Sequence, residues 1–194
     1  VRHFYPRGAS ARAAHRLDFE TSGLMLVALD GQAQARFHRL FLDGAIEKWY
    51  LAWLANCDGQ KSGRIEIPIS GSTGGGRRQF SNPNGKQSAT DFISLGEHEG
   101  GRLMLFRPIT GRTHQLRVHA SEKDGLANPI RGDELYGAAG PTLFLHAWRL
   151  SFSITGSESQ TTIWSPIPPT WPNEIIRMAH GVRQQFTAGE IDLF

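Results

Sequence analysis

The sequence predicts an α+β fold with a mixed, largely antiparallel central sheet flanked by helices and loops. Apolar and aromatic runs of strand length dominate the chain, and helical repeats interrupt them. Two such runs, Ser88 to Leu95 and Leu103 to Pro108, are separated by Gly96-Glu97-His98-Glu99-Gly100-Gly101, which suits a hairpin connection. No strand–helix–strand rhythm of the kind a parallel sheet needs runs throughout.

The elements follow in order. Residues 1 to 14 read as irregular, punctuated by Pro6, Gly8 and Ser10. Leu24 to Leu29 is an unbroken apolar run that reads as a short buried strand. Residues 31 to 43 read as a helix, since Ala33, Phe37, Leu40 and Phe41 recur at spacings of four and three. Asp43-Gly44 ends it. Ala45 to Leu54 follows as an aromatic-rich strand with Lys48, Tyr50 and Ala52 on one face. Arg64 to Ile69 reads as a short strand and Ser70 to Gly76 as a flexible tip. Gly74-Gly75-Gly76-Arg77-Arg78 lacks the glycine spacing and the lysine of a nucleotide loop. Beyond the hairpin, Thr113 reads as the N-cap of a helix whose Leu116 and Ala120 face the core. Leu126 to Gly137 reads as a loop, Leu143 to Ala147 and Leu150 to Ile154 as strands, and Ile163-Trp164 as a last edge strand. Asn173 is expected to cap a terminal helix running through Ala179.

Composition bounds the function. A chain of 194 residues suffices for one sizeable core, and residues 1–194 read as a single domain. With 39% hydrophobic and 20% charged residues it has the make-up of a globular protein. No apolar run approaches the roughly 20 residues that span a bilayer, and the opening Val1 to Arg7 lacks the apolar core of a secretory leader. Cys57 is the only cysteine, so neither an internal disulfide nor a cysteine-built metal cage is available. A cytoplasmic setting is the expectation. The net charge of +3 is unevenly spread. Arg2, Arg7, Arg12 and Arg16 precede the first acid, and Lys61, Arg64, Arg77, Arg78 and Lys86 are relieved only by Glu66. Such groups fit a phosphate backbone. For charge this modest, a solvated surface fits equally well.

Chemistry concentrates in His15-Arg16-Leu17-Asp18-Phe19-Glu20-Thr21-Ser22-Gly23. A loop carboxylate delivered onto a packed strand is held rigidly, which a catalytic acid requires. Asp18 is the preferred acid because Arg16 and His15 lie beside it and favour its charged form. A side-chain cap on the Thr-Ser-Gly turn is the bland alternative. A second polar cluster, Arg112, His114, Gln115 and Arg117, opens the helix after the hairpin. His114 and His119 are five apart, not the four that puts two metal ligands on one helix face, so no metal is expected.

Taken in order, three segments resemble the RluA-type RNA pseudouridine synthases: His15 to Asp18 with Thr21-Ser22-Gly23, Lys48-Trp49-Tyr50-Leu51-Ala52, and Gly111 to His119. Gly85 to Thr90, Gly132-Asp133-Glu134-Leu135-Tyr136-Gly137 and Leu145-His146-Ala147 also look like family signatures, and the resemblance spans roughly residues 13 to 169. It implies the pseudouridine synthase fold and a cofactor-free isomerase acting on uridines of ribosomal or transfer RNA, and a monomer is the default expectation. The uracil is detached at its nitrogen, turned, and reattached through carbon. It implies Asp18 as the catalytic aspartate, with attack on the base, attack on the sugar and abstraction of the 2′ proton all open as its role. It further implies Tyr50 as a catalytic residue that stacks on the base, with a part in proton transfer open, Arg117 as the cation paired with the aspartate, and Arg16 as the residue that enters the vacated base position. His15, Lys48, Arg112, His114 and Gln115 complete the expected RNA-binding set.

Two departures stand out. The family's Lys-Pro segment upstream of the aspartate motif has no counterpart in the 14 residues before His15, so the domain is expected to lack it. Arg131 stands where relatives carry an apolar residue. A non-catalytic RNA-binding protein of the same descent is the alternative function.

Overall fold

The computed structural model describes residues 11–71, 76–153 and 159–188. The opening residues 1–10, most of the expected tip and Ile154 lie outside them. In chain order the elements are β1 (Arg12–Ala13), β2 (Ser22–Gly23), β3 (Val27–Ala28), α1 (Gly31–Leu42), β4 (Ile46–Leu54), β5 (Ser62–Glu66) and β6 (Ile69–Gly71). There follow β7 (Gln79–Ser81), β8 (Ala89–His98), β9 (Gly101–Pro108), α2 (Gln115–Ser121), β10 (Leu145–Ser153), β11 (Gln160–Trp164) and α3 (Asn173–Ala188).

The main sheet has the order β11-β10-β4-β9-β8-β5, and every neighbouring pair in it is antiparallel. β2 joins β10 as the single parallel contact among these strands. The fold class is therefore the one expected. The pairs β1–β3 and β6–β7 stand apart as two small ribbons.

Alternation along β4 sorts its side chains to two faces. Ile46 packs with Leu40 of α1, Leu150 and Phe152, so Lys48 and Tyr50 share the α1 side. Trp49 points the other way and meets Phe186 of α3 edge-on at 5.3 Å. On that far face Trp148, Trp171, Ile175, Ala179 and Val182 close the larger core. No described helix is long and apolar enough to cross a membrane.

Several local expectations change. Leu24–Leu29 is not one buried strand: only Val27–Ala28, β3, is strand, paired with β1, and Met25 and Leu29 face solvent. Leu143–Ala147 and Leu150–Ile154 merge into the single strand β10, which absorbs a register shift between Ala147 and Arg149. Thr113 does not cap α2. His114 precedes the helix in the left-handed region, φ 54°, and gives no side-chain cap. At α3 it is the Pro172 carbonyl, not Asn173, that accepts the Ile176 N–H, and the helix continues to Ala188. Asp30 caps α1 by accepting the Ala33 N–H at 2.7 Å.

Two buried histidines make the fold acid-sensitive. His119 meets Ser88 Oγ through Nε2 at 2.8 Å, and His146 meets Ser22 Oγ through Nδ1 at 2.8 Å. Burial pushes both imidazoles down to about 4. An unfolded histidine titrates near 6.5, so between these values the unfolded chain binds more protons and stability falls as pH falls. The expected loss is up to about 3 kcal/mol per histidine on going from pH 7 to below 4. Urea midpoints should drop clearly between pH 7 and pH 4.5. Equal midpoints would remove the premise that both rings fold neutral.

Candidate active site

The loop carrying Asp18 is clamped at both ends. The Ala14 N–H donates to the Leu26 carbonyl at 2.8 Å, and the Leu26 N–H donates to His15 Nε2 at 3.0 Å. The His15 ring also lies 5.0 Å from Phe41 of α1, and burial keeps its pKa low. His15 thus anchors the loop, half-buried between the Leu26 N–H and Phe41. On the other side β2 is fastened to β10 by the Leu24 N–H to Ala147 carbonyl bond at 2.9 Å and by Ser22 on His146. This gives the Leu145-His146-Ala147 motif its structural purpose. The turn itself is Asp18 to Thr21, closed by the Thr21 N–H on the Asp18 carbonyl at 3.0 Å, while Ser22-Gly23 is strand.

Gly23 is what permits the approach of β2 to β10. Its φ is 108°, and an added Cβ would lie 2.2 Å from the Ala147 carbonyl oxygen. Gly23→Ala is expected to cost at least about 2 kcal/mol through strain and separation of the two strands. Thermal denaturation reads this directly, and an unchanged Tm would show that the clamp is slack.

Two elements, β4 and α2, bring three side chains under the influence of Asp18. Tyr50 of β4 has its phenol pKa raised, first by burial and second by the Asp18 charge. For His114, burial lowers the pKa and the Asp18 charge opposes it. Arg117 of α2 feels the Asp18 charge too, but its direct partner is another acid. Its Nε and Nη2 donate to the two Asp133 carboxylate oxygens at 2.7 and 2.6 Å. Among the described residues no ion pair joins Arg117 to Asp18. This corrects the expected pairing: Arg117, 3% exposed, is held by Asp133, 0% exposed, and acts on Asp18 through space.

Asp133 does more than neutralise. Its Oδ1 also accepts the Leu135 and Tyr136 N–H groups at 3.0 and 3.2 Å, which folds the 132–137 turn. Tyr136 then lies under the Arg117 guanidinium at 5.1 Å, and its hydroxyl accepts the Gln79 N–H at 2.7 Å and meets His114 Nδ1 at 2.9 Å. Burial raises the Tyr136 phenol to about 12. The motif 132–137 was visible in the sequence. Its pairing with Arg117 was not, because acid and cation meet only across a loop and a helix.

The remaining expected residues divide. Gln115 is buried with every capacity used: Oε1 accepts from Thr110 and the Arg112 N–H, and Nε2 donates to the Ala89 carbonyl and Thr90. It serves the scaffold, and these four bonds use all of its side-chain capacity. Lys48 is half-buried, with Nζ 6.0 Å from the Phe41 ring centroid, and burial lowers its pKa. Arg112 is exposed and donates to the Gln87 carbonyl at 2.9 Å, and Arg16 is exposed beside Asp18. Arg64 is tied to buried Asp91 at 2.6 Å, where Arg107 joins it at 2.7 Å, so it belongs less to a phosphate patch than to this pair. Arg131 stacks on Trp53 at 4.0 Å and donates to the Glu99 carbonyl at 2.6 Å, which accounts for its place in an apolar position. Among the described residues no set of three or more His, Cys, Asp or Glu side chains is arranged to hold a metal.

The profile of the RNA pseudouridylate synthase family matches residues 3–122, which include Asp18, Tyr50 and Arg117. The chain belongs to this family. An RNA pseudouridine synthase of Haemophilus influenzae, itself uncharacterised, is 36% identical over 166 residues, covering 80% of this chain and 71% of that protein. An uncharacterised RNA pseudouridine synthase of Zymomonas mobilis is 40% identical over 126 residues, and the match spans 57% of its length. The ribosomal large subunit pseudouridine synthase C of Vibrio cholerae is 30% identical over 182 residues, with 55% of its length spanned. Most of these relatives are thus considerably longer than the stretch this chain shares with them. Among solved structures, human RNA pseudouridylate synthase domain containing 1 superposes with a TM-score of 0.76 at 27% identity, covering 96% of this chain and 83% of that one. The pseudouridylate synthase fold extends across the described sheet and its helices.

Proposed function

We propose that this chain isomerises uridine to pseudouridine in folded RNA, ribosomal large-subunit or transfer RNA, with Asp18 as the reacting carboxylate. The observation that carries this reading is that two separate elements, β4 with Tyr50 and α2 with Arg117, meet the clamped loop at Asp18. The reaction breaks the C1′–N1 bond and forms a C1′–C5 bond. The C5 hydrogen leaves as a proton and N1 takes one up, so atoms and electrons balance without a cofactor. What the protein must supply is a carboxylate at the target nucleotide, a surface for the detached base, and grip on the RNA. Asp18 is the carboxylate and Tyr50, held as a neutral phenol, is the surface.

A stacked uridine is out of Asp18's reach, so it is extruded, at a cost of a few kcal/mol. Arg16, exposed next to Asp18, fills the vacated position. Lys48, Arg112 and His114 line the approach and hold phosphate and sugar. Arg117, fixed by Asp133, keeps positive potential on Asp18. The name of the Vibrio cholerae relative favours the ribosomal substrate. The protein is read as a cytoplasmic monomer.

Pseudouridine mapping of total RNA from cells with and without this gene tests the proposal. Loss of modification at a defined uridine gives reaction and substrate together. Purified protein that retains unmodified transcripts but never forms pseudouridine would instead be a binding protein of the same descent.

A further inference from the structure

Phe19 is 98% exposed, and it occupies the second position of the Asp18–Thr21 turn. Nothing in folding puts a phenyl ring there. Turn positions favour Gly, Pro, Asn, Asp and Ser for their backbone preferences or local hydrogen bonds, and Phe offers neither. A ring left in water also forgoes the burial that makes aromatic residues stabilising. Nor does it hang from a loose loop. The turn sits between the His15 anchor and the β2–β10 contact, so the ring is presented at a defined place.

Its distance from Asp18 decides what it meets. Their Cα atoms are about 3.8 Å apart, so the exposed ring and the carboxylate leave the same short turn. A uridine whose glycosidic bond lies against the Asp18 carboxylate therefore brings its strand neighbours within reach of the next side chain. Arg16 and Arg112, both exposed, supply the positive charge that draws that strand in. Extrusion of the uridine uncovers a face of the adjacent base, and any base stacks on an aromatic ring because every base has a π face.

We infer that Phe19 stacks on the base adjoining the extruded uridine and so positions the RNA over Asp18. The inference rests on the reading of Asp18 as the reacting group. Phe19 is a positioning residue: it holds a neighbour of the target and touches no reacting atom.

The test uses the full protein with unmodified transcripts of large-subunit ribosomal RNA and a transfer RNA pool as probes. Phe19→Ala, Phe19→Leu and Phe19→Tyr are compared for pseudouridine formation. Each is also combined with Asp18→Asn to measure RNA retention apart from turnover. Phe19→Ala is expected to raise KM about ten-fold or more, with kcat within about two-fold of wild type. Phe19→Tyr should behave as wild type, Phe19→Leu should fall between, and all should keep the wild-type Tm because the ring is exposed. Adding Phe19→Ala to Asp18→Asn should weaken retention by a factor similar to the change in KM. Wild-type KM and retention in Phe19→Ala overturn the inference, and so does a Phe19→Leu variant indistinguishable from Phe19→Tyr. If wild type retains RNA without turnover and Phe19→Ala weakens retention, the role of Asp18 fails and the stacking stands. If wild type retains neither transcript, both fail.

Discussion

Asp18→Asn is expected to lower pseudouridine formation by at least about a thousand-fold, a loss of the size seen when an enzyme's reacting side chain is removed. Its Tm and RNA retention should stay near those of wild type. The substitution keeps the shape of the side chain and deletes its charge. Asp18 is partly exposed and lies outside every described ion pair, so no buried partner is stranded. The backbone carbonyl that closes the turn with Thr21 is also untouched. Turnover is measured as pseudouridine formed on an unmodified transcript of the mapped substrate. Residual activity near wild type would transfer the reacting role to another group, and a large fall in Tm would make the loss of activity a folding effect.

Arg117→Leu is expected to be the most destabilising of these changes, by about 3–5 kcal/mol. The substitution leaves the Asp133 carboxylate at 0% exposure with no counter-charge. Two backbone N–H groups remain on its Oδ1, too few to satisfy a buried anion. The Tyr136 ring loses the guanidinium above it, and the 132–137 turn with its His114 contact loosens. Removing the stranded charge as well should recover part of the loss: Arg117→Leu with Asp133→Asn is expected to be more stable than Arg117→Leu alone, yet still impaired in turnover. Urea denaturation of the two single variants and the double variant measures this. A double variant no more stable than Arg117→Leu would mean that the pair is not the source of the cost.

Asp133 and His15 mark the boundary between what can and cannot be read from the chain. The runs that carry Asp18, Tyr50 and Arg117 were legible because the residue order of each is itself distinctive. Their individual partners were not. His15 and Gln115 have the polar side chains expected of RNA contacts, but one is spent on the Leu26 N–H and the other on four internal hydrogen bonds. A polar residue type is the same whether it faces solvent or satisfies the backbone, so only burial and geometry separate the two. The clamp by Ser22 and Gly23 on β10 joins positions more than a hundred residues apart, and no local pattern encodes such a pairing.

Local physics decided much else. Period-two alternation set the faces of β4, the spacing of Ala33, Phe37, Leu40 and Phe41 set α1, and the Glu99-Gly100 region allowed β8 and β9 to pair as a hairpin. These depend on neighbours a few residues away. The tertiary structure alone settled that β2 lies parallel to β10, that Asp133 holds Arg117, and that Phe19 stands in solvent beside Asp18. Each of these follows from which distant segments share the same space, a property of the packed chain and of no single stretch within it.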